Sequence, residues 1–308
     1  MKTEFFTLNG SGGEALHGVI WIPHGEARLV LQVTHGMTEH MGRYEDLARA
    51  LADDGVITVG FDLRGHGRNP GDPMCASFGE GGWEASLEDM HRLRGLLEQH
   101  YPNLPQVMLG FSLGSFLLRD YLNSYLDKVD GAVIMGTGSQ PAPILAVLKT
   151  LIRAQAGRAG FDCTTPLVQK LSFGLYNKKF TPNQTPSDWL CSDARQLDAY
   201  LADPLCRADI SAGLFYQLLD SMQRTGSASA YDRWDRDMPV LLLSGQEDPV
   251  GDFGKGVQRV EAAMRKAGLT RVQSRLFARA RHDLLHEQDN GSADRALEEL
   301  RSFLHTLL

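Results

Sequence analysis

The 308-residue sequence predicts an α/β fold: a mostly parallel central sheet flanked by helices, with a helical segment inserted after the sixth strand. Three observations carry that prediction. Short apolar runs alternate with stretches of helical spacing. The alternation breaks after Gly138 and resumes at Pro239. Between an apolar run, Gln106 to Leu109, and a helix-like stretch, Ser115 to Leu122, stands Gly110-Phe111-Ser112-Leu113-Gly114.

Taken in order, Glu4 to Leu8 and Glu14 to Pro23 read as a hairpin closed by Asn9-Gly10-Ser11-Gly12-Gly13. Leu29 to Val33 is a nearly continuous apolar run, the pattern of a strand buried on both faces. Tyr44 to Ala52 is helical and stopped by Asp53-Asp54-Gly55; Val56 to Leu63 is the next buried strand. Trp83 to His100 repeats apolar residues at Leu87, Met90, Leu93 and Leu97, and Tyr101-Pro102 ends it. The elbow strand follows, then Gly131 to Gly136. From Gln140 to about Trp234 no convincing buried strand is read, only helix-like pieces between Pro and Gly clusters. Pro239 to Leu243, a helix around Val257 to Lys266, Val272 to Phe277 and a closing helix from Ala293 to Leu308 complete the pattern. The expected division is a core of residues 1–139 and 236–308 with a helical cap, 140–235, leaving from the carboxyl ends of the strands, where ligands sit in such sheets.

The passage around Ser112 is the context a nucleophile elbow requires. A sharp strand-to-helix turn puts serine in a strained conformation, and small flanking residues let strand and helix approach. The helix N-terminus beneath it offers unpaired N–H groups to a developing oxyanion. A serine hydroxyl needs a base to take its proton, and the base needs an acid to orient it, in the order Ser, acid, His. Ser244-Gly245-Gln246-Glu247-Asp248-Pro249-Val250 follows the strand after the insertion, and Asp248 is the chosen acid, with Glu247 and Asp252 as alternatives. Ala280-Arg281-His282-Asp283-Leu284-Leu285-His286 follows the last strand, and His282 is the chosen base. His286 reads as a neighbour or surface residue. The oxyanion hole needs two backbone amides, expected from Leu113 and from Met37 in the loop after Gly36. His35 and His66 read as structural residues of their glycine turns.

Composition narrows the partners. The net charge of −7 and the lack of a basic block argue against nucleic-acid binding. No apolar run approaches a membrane span, and no secretory signal is read after Met1, so a cytoplasmic chain is expected. Cys75, Cys163, Cys191 and Cys206 have no metal-ligand spacing and read as reduced thiols, with pairing among the last three left open. No metal or organic cofactor is required by the serine chemistry.

His35-Gly36-Met37-Thr38-Glu39-His40-Met41-Gly42-Arg43-Tyr44, Asp62-Leu63-Arg64-Gly65-His66-Gly67 and the elbow together resemble the α/β-hydrolase superfamily, in its monoacylglycerol lipase and lysophospholipase branch, often described as serine aminopeptidase-like. Gly245 to Asp248 and His282 stand at that family's acid and base positions; Asn177 to Phe180 and Asp203-Pro204-Leu205 look like its bacterial members. The chain departs at Thr38, where a smaller residue is common, and at Ser115, where glycine or alanine is frequent. The resemblance implies a serine esterase of the α/β-hydrolase fold acting on carboxylic esters such as monoacylglycerols or lysophospholipids. It leaves the substrate to the cap. Pro143 to Arg153 is the cap's most apolar stretch, and Gln140 to Phe161 carries Lys149, Arg153 and Arg158 without an acid. That suits a lid that admits an acyl chain and makes transient contact with an anionic membrane surface, or a helix packed on the core. Phe173, Tyr176, Trp189, Phe215 and Tyr216 are candidates to line a tunnel. A peptidase or amidase on the same triad is the alternative. It would hold an ammonium group through cap acids such as Asp188, Asp193, Asp198 and Asp203. A non-catalytic ligand receptor is the third reading. Oligomeric state is left open.

Overall fold

The computed structural model describes residues 1–69, 71–72, 74–125, 128–206 and 209–308. Eight strands form its central sheet: β1 (Lys2–Asn9), β2 (Ala15–Ile22), β3 (Leu29–Thr34), β4 (Val56–Phe61), β5 (Gln106–Phe111), β6 (Gly131–Met135), β7 (Val240–Gly245) and β8 (Val272–Phe277). They lie in the order β1-β2-β4-β3-β5-β6-β7-β8. β2 pairs antiparallel with β1 and β4, and the strands from β4 across to β8 are parallel. Every residue of β3 to β7 is buried, as continuous apolar runs require when both sheet faces are covered.

Alternate side chains of these strands feed two cores. Val30, Ile57, Met108, Ile134 and Leu242 meet helices α2 (Gly82–His100), α3 (Leu113–Ser124) and the segment inserted between β6 and β7. Leu31, Val33, Leu109, Val133 and Leu243 meet α1 (Glu45–Ala52) and the closing helix Ser292–His305. α1 ends at a glycine for a physical reason: Gly55 sits at φ +78°, a left-handed turn residue whose amide closes on Ala52 O at 3.1 Å.

The inserted segment carries α4 (Ala142–Ala159), α5 (Ala194–Ala202) and α6 (Ala212–Arg224) with shorter helical turns between α4 and α5. α4 packs along α6, and α6 packs on α3. One feature differs from the sequence reading: Asp209–Ile210 forms a two-residue strand beside Cys75–Ala76, too short to leave a periodic signal. Leu145 and Ile152 of α4 are buried, but Ile144, Val147 and Leu151 turn outward, 48%, 60% and 45% exposed. No helix among the described residues is long and apolar enough to cross a membrane. The four cysteines are free thiols.

Candidate active site

Parallel register brings the carboxyl ends of β3, β5, β6, β7 and β8 to one edge: Thr34 lies beside Gly110, Phe111 beside Met135, and Gly245 beside Phe277. The loops leaving these ends carry the candidate residues. Ser112, between β5 and α3, has φ 50° and ψ −116°, a conformation that costs a non-glycine residue about 1–3 kcal/mol. Its neighbours hold it there. The Ser112 amide donates to Met135 O at 2.9 Å, and its carbonyl accepts from the Ser115 amide at 2.8 Å and the Ser115 hydroxyl at 2.6 Å. Ser115, a departure from the family pattern, thus braces the turn. The flanking glycines are required by contact: a Cβ at Gly110 would lie 2.3 Å from Gly114 O, and one at Gly114 2.0 Å from Thr34 O.

His282, buried after β8, brings Nε2 to 2.8 Å from Ser112 Oγ. Its Nδ1 lies 3.0 Å from Asp248 Oδ2, within ion-pair distance though off the line of a straight hydrogen bond. Asp248 is itself fixed: the Val250 amide donates to Oδ1 at 2.8 Å and the Ser244 hydroxyl to Oδ2 at 3.2 Å. The alternative acid Asp252 faces Arg259 at 2.9 Å. Glu247, half-buried, makes no hydrogen bond or ion pair with His282 among the described residues. The His282 ring lies between Phe111 and Trp189, with centroids 5.0 and 5.1 Å away. His286 pairs instead with Asp283 at 2.8 Å.

The other candidates divide the same way. His35 accepts the Leu63 amide on Nε2 at 2.8 Å and meets Gly36 O through Nδ1 at 2.7 Å, so it is neutral and structural; burial pushes its pKa down. His66 meets Arg64 O at 2.7 Å. The amides of Met37 and Leu113 make no hydrogen bond among the described residues, and both residues line the cavity together with Ser112.

Sequence reasoning missed a charged brace behind this site. Glu39 Oε1 accepts from the Gly36 amide at 2.5 Å and from Tyr44 OH at 2.8 Å, while Oε2 meets Arg43. Arg43 also holds Asp283, the residue after His282, at 2.6 Å. Burial opposes ionisation of Asp283, yet Arg43 and His286 outweigh it and hold the carboxyl well below its usual range. Loops after β3 and β8 are thereby joined through one guanidinium. The adjacency of Asp283 to His282 was the one local signal of this.

The cavity above Ser112 is narrow, about 40 Å³, and partly open to solvent. Its walls are largely aromatic, from Phe116, Phe173, Tyr176, Trp189 and Phe215. Tyr216 lies outside it, under Lys149 at 5.5 Å. A second, outer cavity shares Phe173, Trp189, Leu190 and Tyr200 with the first.

Known proteins share this plan. The model of the family described as Serine aminopeptidase, S33 matches residues 25–289. The chain is similar to the monoglyceride lipase of Mus musculus, 26% identical over 96% of this chain and 89% of that one. It is also similar to the monoacylglycerol lipase of Mycolicibacterium smegmatis, 29% identical over 78% and 77% of the two chains. In fold it resembles a thermostable carboxyl esterase from Bacillus coagulans, with a TM-score of 0.87 at 22% identity over 100% and 99% of the chains. The match runs through the sheet, the elbow and the insertion alike, and the chain belongs to the serine aminopeptidase S33 family of α/β-hydrolases, in its monoacylglycerol lipase-like branch.

Proposed function

We propose that Ser112, His282 and Asp248 form a catalytic triad and that the protein is a serine esterase for monoacylglycerol or lysophospholipid-like substrates. The protein is a carboxylic ester hydrolase. The observation that carries the triad is the line from Ser112 Oγ through both ring nitrogens of His282 to Asp248, at 2.8 and 3.0 Å, under an aromatic cavity. Ser112 Oγ attacks the ester carbonyl while His282 Nε2 takes its proton, and Asp248 stabilises the imidazolium. The carbonyl oxygen becomes an oxyanion facing the Met37 and Leu113 amides. Collapse breaks the C–O bond, and His282 returns the proton to the leaving alcohol. Water then gives a proton to His282, attacks the acyl carbon, and releases the carboxylate with Ser112 restored.

Residues 140–235 act as a cap over a core of 1–139 and 236–308, with the aromatic wall receiving the acyl chain. The outward face of α4, Ile144, Val147 and Leu151, is the part suited to transient contact with a lipid surface. Mouse and mycobacterial relatives named for monoacylglycerol hydrolysis support the substrate class.

The aminopeptidase reading needs a carboxylate free for an ammonium group. Asp188 accepts the Gln184 and Thr185 amides, Asp193 caps α5, Asp203 meets His40, and Asp198 is exposed. Glu39, which lines the cavity, is committed to Arg43. These commitments favour an ester. A receptor reading finds no support in a site where His282 lies 2.8 Å from Ser112 Oγ and 3.0 Å from Asp248.

The test is hydrolysis of p-nitrophenyl esters from acetate to palmitate beside aminoacyl anilides, with Ser112→Ala as control. Ester turnover lost in Ser112→Ala is expected, with a chain-length optimum that sizes the acyl site. Anilide cleavage without ester preference would reverse the assignment.

A further inference from the structure

The loop after β3 bears the Met37 amide, and the insertion grips it twice through α5. The Tyr200 hydroxyl lies 2.7 Å from Thr38 Oγ1 and 3.3 Å from Thr38 O. One turn on, Asp203 Oδ2 lies 2.9 Å from His40 Nε2. The Gly42 amide donates to His40 Nδ1 at 3.1 Å, which leaves the ring proton on Nε2 to donate to Asp203. His40, Asp203 and Cys206 stand close enough together to suggest a cation site. With both imidazole nitrogens occupied, His40 is a tether rather than a ligand.

Thr38 is the unusual member. It is β-branched and buried, and it sits at φ 59°, a region such residues rarely adopt. A conformation of that kind persists only where its surroundings over-determine it. Here the hydroxyl does so: Thr38 Oγ1 donates to Met37 O at 2.6 Å and receives the Tyr200 phenol. Tyr200 is also fixed from the side, with the Arg43 guanidinium 5.1 Å from its ring centroid. Burial raises the Tyr200 pKa, so the phenol keeps the proton it donates.

We propose that Thr38 and Tyr200 are positioning residues for the oxyanion hole: the phenol on the insertion holds Thr38 in its left-handed conformation and thereby keeps the adjoining Met37 amide aimed beside Ser112. The inference rests on the acyl-transfer reading of Ser112 given above. Its consequence is that the oxyanion hole is complete only while α5 is docked, so cap position and reaction rate are coupled through one hydrogen bond.

A double-mutant cycle tests this with p-nitrophenyl butyrate as substrate and an arylboronic acid as mimic of the tetrahedral intermediate. Misaiming a donor costs less than deleting it, so Tyr200→Phe should lower kcat by about ten-fold with KM within about two-fold, and weaken boronate binding similarly. Thr38→Gly adopts the same backbone without the side-chain tether and keeps only the long 3.3 Å bond to the residue-38 carbonyl, so adding Tyr200→Phe to it should change kcat by clearly less than it does in the parent, about two- to three-fold. Thr38→Ser should retain more kcat than Thr38→Val, which keeps the shape and removes the hydroxyl. That pair gives the answer even if a Tyr200 variant folds poorly.

The inference is overturned if Tyr200→Phe costs the same in both backgrounds, if it moves KM alone, or if it lowers only the thermal midpoint. Ester turnover surviving in Ser112→Ala would overturn the acyl-transfer reading and this one with it; loss of coupling with Ser112→Ala inactive would overturn this one alone.

Discussion

The sheet edge and the insertion wall the same cavity but hold their side chains by different means. On the sheet side Ser112 and Asp248 leave β5 and β7, strands buried throughout, His282 follows the half-exposed edge strand β8, and close backbone contacts at Gly110, Gly114 and Gly245 fix the turns. On the insertion side, helices leave Ile144, Val147, Leu151, Leu175 and Leu201 exposed, and the grip on the core comes from side chains. The two sides are therefore built differently: the proposed triad is held by backbone geometry, whereas the insertion is held by side-chain ties that can be exchanged without disturbing the sheet. Arg119 is the principal tie at the insertion's base. Buried in α3, it donates to Gly138 O at 3.0 Å where the chain leaves the sheet, and to Thr225 O at 2.7 Å and Tyr231 OH at 2.8 Å where it returns.

Removing a sheet-side group should cost chemistry and little stability. Asp248→Asn should lower kcat by about 10⁴-fold, because the imidazole loses its orienting acid, while Asp252→Asn stays within about two-fold. Steady-state kinetics on the two variants compares them directly. The converse holds at Arg119. Arg119→Met removes the donor to Gly138 O and leaves Thr225 O and Tyr231 OH only each other, at 2.9 Å, and should destabilise the fold by about 3 kcal/mol in urea unfolding. Should the unfolding midpoint not move, the insertion is not anchored there.

A smaller effect should separate the outer face of the insertion from its inner face. Ile144→Ser, Val147→Ser and Leu151→Ser combined should leave hydrolysis of soluble p-nitrophenyl butyrate within about two-fold, but slow hydrolysis of monoacylglycerol in anionic vesicles by about five-fold. Equal effects on both substrates would assign α4 a packing role instead. The smallest effect belongs to His35 on the sheet side. Its folded pKa lies below the usual 6.5 because burial disfavours the charged form, so the unfolded state binds the extra proton. Its contribution is intact above pH 6.5 and is lost as pH falls from there toward the folded value. His35→Gln should flatten that part of the stability-against-pH curve, measured by urea unfolding.

Legibility in the sequence followed the same division. Strands buried on both faces announce themselves as apolar runs, so β3 to β7 and the turns after them could be read from local pattern, as could the positions of Ser112, Asp248 and His282. The brace through Glu39, Arg43 and Asp283 could not, because Arg43 and Asp283 are 240 residues apart and nothing local couples them. Arg119 lay inside the helix-like stretch Ser115 to Leu122 with nothing local to mark it, although it is wholly buried. Thr38 stood out only as larger than its family position favours; its left-handed backbone and its bond to Tyr200 depend on a helix 162 residues away. The short helical turns between α4 and α5 blurred because each makes too few turns to set up a period.

In the proposed mechanism Ser112 carries the acyl group. Rapid mixing with p-nitrophenyl butyrate, followed by acid quench and mass measurement of the peptide containing Ser112, tests it most directly. A burst of p-nitrophenol of about one per active chain and a butyryl mass on Ser112, absent in Ser112→Ala, are expected. Steady turnover with no acyl adduct on that peptide, or an adduct elsewhere in the chain, would contradict it.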